Sequence, residues 1–256
     1  MKSNQPPVVV LMIPLKNERH IAPILIDRLN IHFEHSILDF VFFIDDHSTD
    51  ETYAFLVEKS ENYDWIKIVQ NEFLESGYGS AVSFGINTML DQSITWAIIA
   101  DSDLTNSLEE IEKLAVACLS EKDASQIGVI KGNRYWGSGT HMMGLPVSRK
   151  TLSIAANLVS RALSLNVHPD PTNGFRAINV SGYPKFDTEA GFESIIQELY
   201  EVKLAHLEVG IFNTTLNYDE DIRGKSSFRF EMSLIFGYLS WLSKIGQLRI
   251  FRKILK

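Results

Sequence analysis

The sequence predicts an α/β fold, a Rossmann-like, mostly parallel sheet flanked by helices, and two observations carry that prediction. Short apolar runs rich in β-branched residues alternate with helix-period segments from residue 8 to residue 130. Two of those runs stop at paired acids, Asp45-Asp46 and Asp101-Ser102-Asp103. Strands apolar on both faces belong to sheets covered by helices on both sides. Such sheets bind ligands at the carboxyl ends of their strands, where these aspartates fall.

The elements follow in order. Residues 8–13 form an unbroken apolar run closed by Pro14, a first strand. Ile21, Ile24, Leu25 and Leu29 recur at helical spacing, and residues 40–44 give a second strand. Ser48 with Glu51 predicts a capping box for the next helix, and Ser107 with Glu110 predicts another. Strands are expected at 65–69, 96–100 and 127–130, and a glycine-bearing loop enters a helix over 77–87. Beyond these, the pattern predicts a helix over 150–165, a strand at 175–178, a helix over 192–204 and a strand over 209–216. No repeat or linker divides the chain, so residues 1–226 read as one domain and 227–256 as a helical tail.

With 256 residues, 45% hydrophobic and 22% charged, the chain can bury one sizeable core. The net charge of −8 argues against general nucleic-acid binding. Cys118 lies in an apolar run and is the single cysteine, which leaves no disulfide framework and no cysteine-based zinc site. The polar start and the early Pro14 predict a cytoplasmic protein without a signal peptide. From Met232 onward there is no acidic residue, while Lys244, Arg249, Arg252, Lys253 and Lys256 accumulate among apolar residues. That tail reads as a basic amphipathic helix, suited to peripheral attachment at the cytoplasmic face of a membrane or to a dimer interface.

Two carboxylates one residue apart at a strand end can share a hard divalent cation with substrate phosphates. Breaking a sugar–pyrophosphate bond needs such a cation, because it neutralises the charge growing on the leaving diphosphate. The second acidic cluster, Asp45-Asp46-His47-Ser48-Thr49-Asp50, places like charges side by side, a cost that ribose or base hydroxyl groups or a metal would offset. His47, His141 and His168 lie near these motifs and read as structural or exposed side chains. No mononucleotide P-loop and no dinucleotide fingerprint occurs.

Pro14-Leu15-Lys16-Asn17-Glu18, then Asp45 to Asp50, then Asp101-Ser102-Asp103-Leu104, in this order and spacing, resemble the GT-A domain of family 2 glycosyltransferases. Gly132-Asn133-Arg134-Tyr135, Ser148-Arg149-Lys150 with Asn157, the run Asp170 to Arg176, and Arg223-Gly224-Lys225-Ser226 resemble the branch of dolichyl- and polyprenyl-phosphate mannose or glucose synthases. The likeness spans residues 8–226. Two positions depart from it: Lys16 stands where an aromatic is usual, and Tyr78 where a lysine is common.

The resemblance implies an inverting transfer of a hexose from a GDP- or UDP-sugar to a polyprenyl phosphate. Pro14, Leu15, Asn17, Glu18, Asp46, Asp50, Gly79, Ser102 and Ser226 would bind the nucleotide-sugar. Asp101 and Asp103 would hold Mg2+ or Mn2+, Arg134 would face phosphate, and Arg223 and Lys225 would close the site. The helix over 149–165 matches the segment that lies against the membrane in that family. A sugar hydroxyl as acceptor would need a base, with Glu193 or Asp170 as candidates. The rival readings are a nucleotide-sugar-binding module without turnover and a peripheral membrane adaptor built on the tail.

Overall fold

The computed structural model describes residues 6–90, 92–121, 123–144, 147–163 and 168–217, with Ser240 and Ser243. The expected site residues Arg223, Lys225 and Ser226, and the expected helical tail apart from those two serines, lie outside the described residues.

The chain runs β1 (Val9–Leu15), α1 (Ala22–Phe33), β2 (Phe40–Asp45), α2 (Thr52–Ser60), β3 (Ile66–Gln70), α3 (Tyr78–Met89), β4 (Trp96–Ile99) and α4 (Leu108–Ser120). It continues through β5 (Ile127–Asn133), β6 (His141–Met143), α5 (Val147–Leu163), β7 (Arg176–Asn179), α6 (Ser194–Leu204), β8 (Glu208–Asn213) and β9 (Thr215–Asn217). A seven-stranded sheet has the order β3-β2-β1-β4-β7-β5-β8, and β6 pairs with β9 in a small second sheet. All pairings in the large sheet are parallel except those of β7, which runs against β4 and β5.

Strand alternation explains the continuous apolar runs. Val9, Leu11, Ile13, Val41 and Phe43 face one core with Leu25, Leu56 and Leu114 of α1, α2 and α4. Val10, Met12, Phe42 and Ile44 face the other, with Ile86 of α3 and Leu199 of α6. A run buried on both faces has no polar phase, so the sheet is the middle layer of three. Among the described residues, no helix is long and apolar enough to cross a membrane.

Three expectations are corrected. Pro14 does not close β1, which continues to Leu15. The Met12 carbonyl accepts from Ala100, and the Leu15 carbonyl from Asp46. By alternation Pro14 is directed like Met12, toward β4, whose pairing with β1 ends at Met12. The missing N–H of Pro14 therefore removes no ladder bond. Next, Ser48 does not cap α2; the N-cap position is Glu51, without a side-chain cap bond, and the Ser48 hydroxyl instead accepts from Asn17 N at 2.9 Å.

The expected strand over 209–216 breaks at Thr214, and Glu110 is the cause. Its carboxylate accepts from Thr214 Oγ1 and Thr215 N, both at 3.0 Å, turning the chain from β8 into β9. Ser107 does cap α4 through Glu110 N at 3.3 Å, as expected. The Glu110 carboxylate is held by Thr214, Thr215 and Lys113, so the reciprocal half of that capping box gives way to a longer-range role.

Candidate active site

In sequence order the sheet grows from β1 outward to β3, then crosses back to place β4 on the other side of β1. The carboxyl ends of β1 and β4 therefore form the topological switch point, where open α/β sheets bind ligands. Asp101-Ser102-Asp103 follows β4 there, and Asp45-Asp46 ends β2, two strands away, on the order of 10 Å in the pairing direction. Because β7 is antiparallel, its beginning reaches this same edge, bringing the 168–175 segment beside the ends of β4 and β5.

The loops after β1 and β2 are sewn to each other. Asp46 N donates to Leu15 O at 2.9 Å, Thr49 N to Asn17 Oδ1 at 2.7 Å, and Arg19 N to Asp50 Oδ2 at 3.1 Å. Asn17 and His47 adopt left-handed backbones, with φ of 55° and 57°, which lets the loops turn tightly enough to meet. Asp50 also accepts from Thr52 N at 3.1 Å and from the Thr52 hydroxyl. Burial works to raise the Asp50 pKa, but these hydrogen bonds outweigh it and the carboxyl is held below its ordinary value.

Asp46 is buried, and Asn71 Nδ2 and Ser76 Oγ donate to its two oxygens at 2.8 and 2.7 Å. Lys16 Nζ donates to the same Ser76 hydroxyl at 2.7 Å. Glu18 is buried too, and its carbonyl accepts from Ile21 and Ala22 to start the turn into α1. The motif residues Asn17, Asp46 and Asp50 thus build a rigid frame, with Pro14 and Leu15 at the end of the strand beneath it.

Asp101 is exposed, and its charge acts on the Tyr78 hydroxyl at the start of α3. Asp103 is buried; its Oδ1 accepts from Thr105 N at 3.0 Å and Thr105 Oγ1 at 2.6 Å. It lines a shallow cleft with Ser102 and with Ile21, Ile24, Leu25 and Arg28 on the α1 side. Among the described residues, no three His, Cys, Asp or Glu side chains gather to hold a metal. Two carboxylates completed by phosphate oxygens and water are nevertheless a donor set that suits Mg2+, so the pair fits a cation shared with a diphosphate.

Gly79, expected to touch the nucleotide, is packed against the 189–190 segment. Its N–H donates to Ala190 O at 2.7 Å, and a Cβ there would lie 2.1 Å from Glu189 O. Arg134, expected to face phosphate, holds Asp170 with Nε–Oδ2 at 2.7 Å and Nη2–Oδ1 at 2.8 Å. Asn157 of α5 also donates to Asp170 Oδ1, at 2.7 Å, and accepts from Thr172. Burial alone would raise the Asp170 pKa; Arg134 and these donors instead lower it. That overturns Asp170 as a candidate base, because a fully buried, paired carboxylate with a depressed pKa does not accept a substrate proton at neutral pH.

A second buried system passed unnoticed in the sequence. Arg176 Nε pairs with Glu198 Oε1 at 2.6 Å, Arg176 Nη1 donates to Tyr78 Oη at 2.8 Å, and Tyr183 donates to Glu198 Oε2 at 2.9 Å. The Tyr78 ring stacks on Phe192 at 4.7 Å, and burial pushes its phenol up to about 12. His168, read as structural or exposed, is buried; its Nδ1 accepts from Asp170 N at 3.0 Å, and burial followed by the nearby Lys131 lowers it to about 4. The cue to this system was present: Lys131 interrupts an apolar strand, and Glu198 stands between Ile195, Ile196 and Leu199 on a buried helix.

Residues 10–183 match the family described as Glycosyl transferase family 2. Among curated proteins, none matches. Among solved structures, glucosyl-3-phosphoglycerate synthase from Mycobacterium tuberculosis with Mn2+, UDP and phosphoglyceric acid is similar at 17% identity and TM-score 0.66, covering 95% of this chain and 78% of that one. The same enzyme with phosphoglyceric acid alone gives 17% and 0.67, covering 93% and 80%. With Mn2+, UDP-glucose and phosphoglyceric acid it gives 19% and 0.61, covering 84% and 74%. At these identities the likeness speaks for the fold.

Proposed function

The chain belongs to glycosyl transferase family 2, and from that premise we propose that it moves a hexose from a UDP- or GDP-sugar to a polyprenyl phosphate, with inversion at the anomeric carbon. It is a glycosyltransferase of the GT-A type that draws on a nucleotide-sugar. The observation that carries the donor half is that two acidic strand ends, of β2 and β4, lie at the same carboxyl edge of the sheet on either side of β1.

In the proposed reaction the frame of Pro14, Leu15, Asn17, Glu18, Asp46 and Asp50 fixes the nucleoside end. Asp101 and Asp103 hold the cation, with Asp101 the more accessible of the two. When bound, Mg2+ or Mn2+ supplies Lewis-acid neutralisation of the departing diphosphate. The acceptor phosphate is already anionic, so in-line attack from the opposite face needs no general base. Arg134 fixes the 168–175 segment by way of Asp170; Arg223, Lys225 and Ser226 are proposed to close over donor and acceptor.

A lipid-linked acceptor is supported by α5. That helix buries the polar Asn157 and Ser160 against the domain and leaves Leu158 about half exposed, at 53%. An apolar residue outside and polar residues inside suit a surface that meets lipid. On this reading the enzyme works at the cytoplasmic face of a membrane. A second reading comes from the structural neighbours, which hold phosphoglyceric acid, a small phosphorylated acceptor.

The test is product analysis. Purified protein with Mn2+ and a panel of UDP- and GDP-sugars should release nucleotide and yield a lipid-phosphate-sugar when given a short polyprenyl phosphate, and should not turn over with phosphoglyceric acid. Product from phosphoglyceric acid alone would select the second reading. No nucleotide release from any donor with either acceptor would refute both.

A further inference from the structure

Behind the carboxyl edge lies a charged layer that the transfer chemistry above does not use. Lys131 of β5 is fully buried and stands opposite Arg176 of β7. Opposed residues on neighbouring strands project to one face. Val129, two positions before Lys131, packs in the core shared with α3 and α6, so Lys131 and Arg176 lie on that face. Arg176 in turn stands opposite Ile99, two residues before Asp101. The Lys131–Arg176 row is thus one row behind the edge, roughly 6.6 Å of strand rise, and Lys131 itself stands two strands across from β4, on the order of 10 Å.

The charges facing Lys131 are Arg176 from β7, Glu198 from α6, Asp170 and His168 from the segment before β7, and Arg134 from the end of its own strand. On β8 the opposite residue is Ile211. Arg176 is matched by Glu198 and Arg134 by Asp170, with N–O distances of 2.6 and 2.7 Å. A protonated Lys131 is therefore a third cation over two buried anions. Its ammonium would carry three N–H donors, and among the described residues it has one acceptor, Asn173 O at 2.6 Å. A neutral amine suits that setting better.

We infer that Lys131 is proton-linked to the nucleotide site, taking a proton from solvent when a negatively charged nucleotide diphosphate binds at the carboxyl end of β4, two strands across the sheet from β5. The inference rests on the nucleotide-sugar reading above. Burial, and then Arg176, already lower Lys131 to about 7, so its protonation responds to added negative charge near neutral pH. Binding that raises this pKa is strongest below the unliganded value and weakens as pH rises through the window between the unliganded and liganded values.

The experiment is isothermal titration calorimetry of the full chain with UDP and with GDP, each with Mg2+, at pH 7 in buffers of different ionisation enthalpy. The wild type should take up up to about half a proton more than Lys131→Met. In the wild type itself, the Lys131 Cε chemical shift should titrate near neutral pH and move to higher pH on adding nucleotide, a measurement that does not depend on the variant folding. Equal proton uptake in wild type and Lys131→Met, or an unmoved Lys131 titration despite nucleotide binding, overturns this inference alone. Absence of binding by both nucleotides overturns the nucleotide-sugar reading and this inference with it.

Discussion

Replacing Glu198 by alanine strands a guanidinium in the interior. Arg176 and Glu198 are each 1% exposed, and their contact is 2.6 Å. Burial works against the Arg176 charge, while Glu198 more than offsets it and holds the guanidinium protonated. After truncation Arg176 keeps the Tyr78 hydroxyl and the Gly174 carbonyl as acceptors, at 2.8 and 2.7 Å, but loses its counter-charge. Tyr183 also loses the acceptor of its hydroxyl. Breaking one side of a buried pair costs about 3–5 kcal/mol. For a chain of this size that corresponds to a Tm lower by roughly 6–20 °C. Urea denaturation of wild type and variant gives the difference directly. Removing both charges together, with Arg176→Met and Glu198→Leu, should recover most of the loss, because apolar replacement of a buried pair is often neutral or stabilising by about 1–4 kcal/mol. A loss under about 1 kcal/mol for the single variant, or a double variant less stable than the single one, would refute the reasoning.

Three further outcomes are expected. Gly79→Ala drives a methyl to within 2.6 Å of the Ser194 side chain and into Glu189 O, and should destabilise the chain by about 1–3 kcal/mol in thermal melts. Asp101→Asn keeps the exposed side chain's size and removes its charge, so metal-dependent nucleotide release should drop by at least about 100-fold while stability changes by less than about 0.5 kcal/mol. Asp170 has a folded pKa below its ordinary 3.8, so its stabilisation is complete above the unfolded value and lost as pH falls through that value toward the folded one. Denaturation midpoints of wild type and Asp170→Asn should therefore converge on acidification, and a constant gap would count against the pairing.

Much of the sheet was legible because a strand buried on both faces is apolar throughout. β1, β2 and β4 announce themselves in this way, and their acidic ends mark the edge where the site forms. The antiparallel direction of β7 was not legible, because the short run of residues 175–178 reads as a strand in either direction. Ser48 misled because its hydroxyl suits a helix cap and a loop brace equally, and the partner that decides, Asn17, is 31 residues away. Gly79 shows a close backbone approach, at Ala190 and Glu189, that a glycine near a site can serve without any ligand. The charged layer around Lys131 and Glu198 escaped because its members come from β5, β7, α3 and α6, far apart in sequence. Lys131 and Glu198 stand out in apolar runs, but neither names its partners.

The reversed direction of β7 has a consequence for how such a scaffold varies. In a wholly co-directional sheet, every loop that reaches the working rim is also the link into the next helix, so altering one perturbs the crossover behind it. A strand laid head to tail instead delivers the stretch that precedes it, and here that stretch is fed by α5. Helix and lead-in can change length or chemistry as one cassette while β1 to β4, where the proposed function puts the nucleotide, stay as they are. If the proposed function holds, exchange of 147–175 is where such a scaffold would change its acceptor while its donor half stays unchanged.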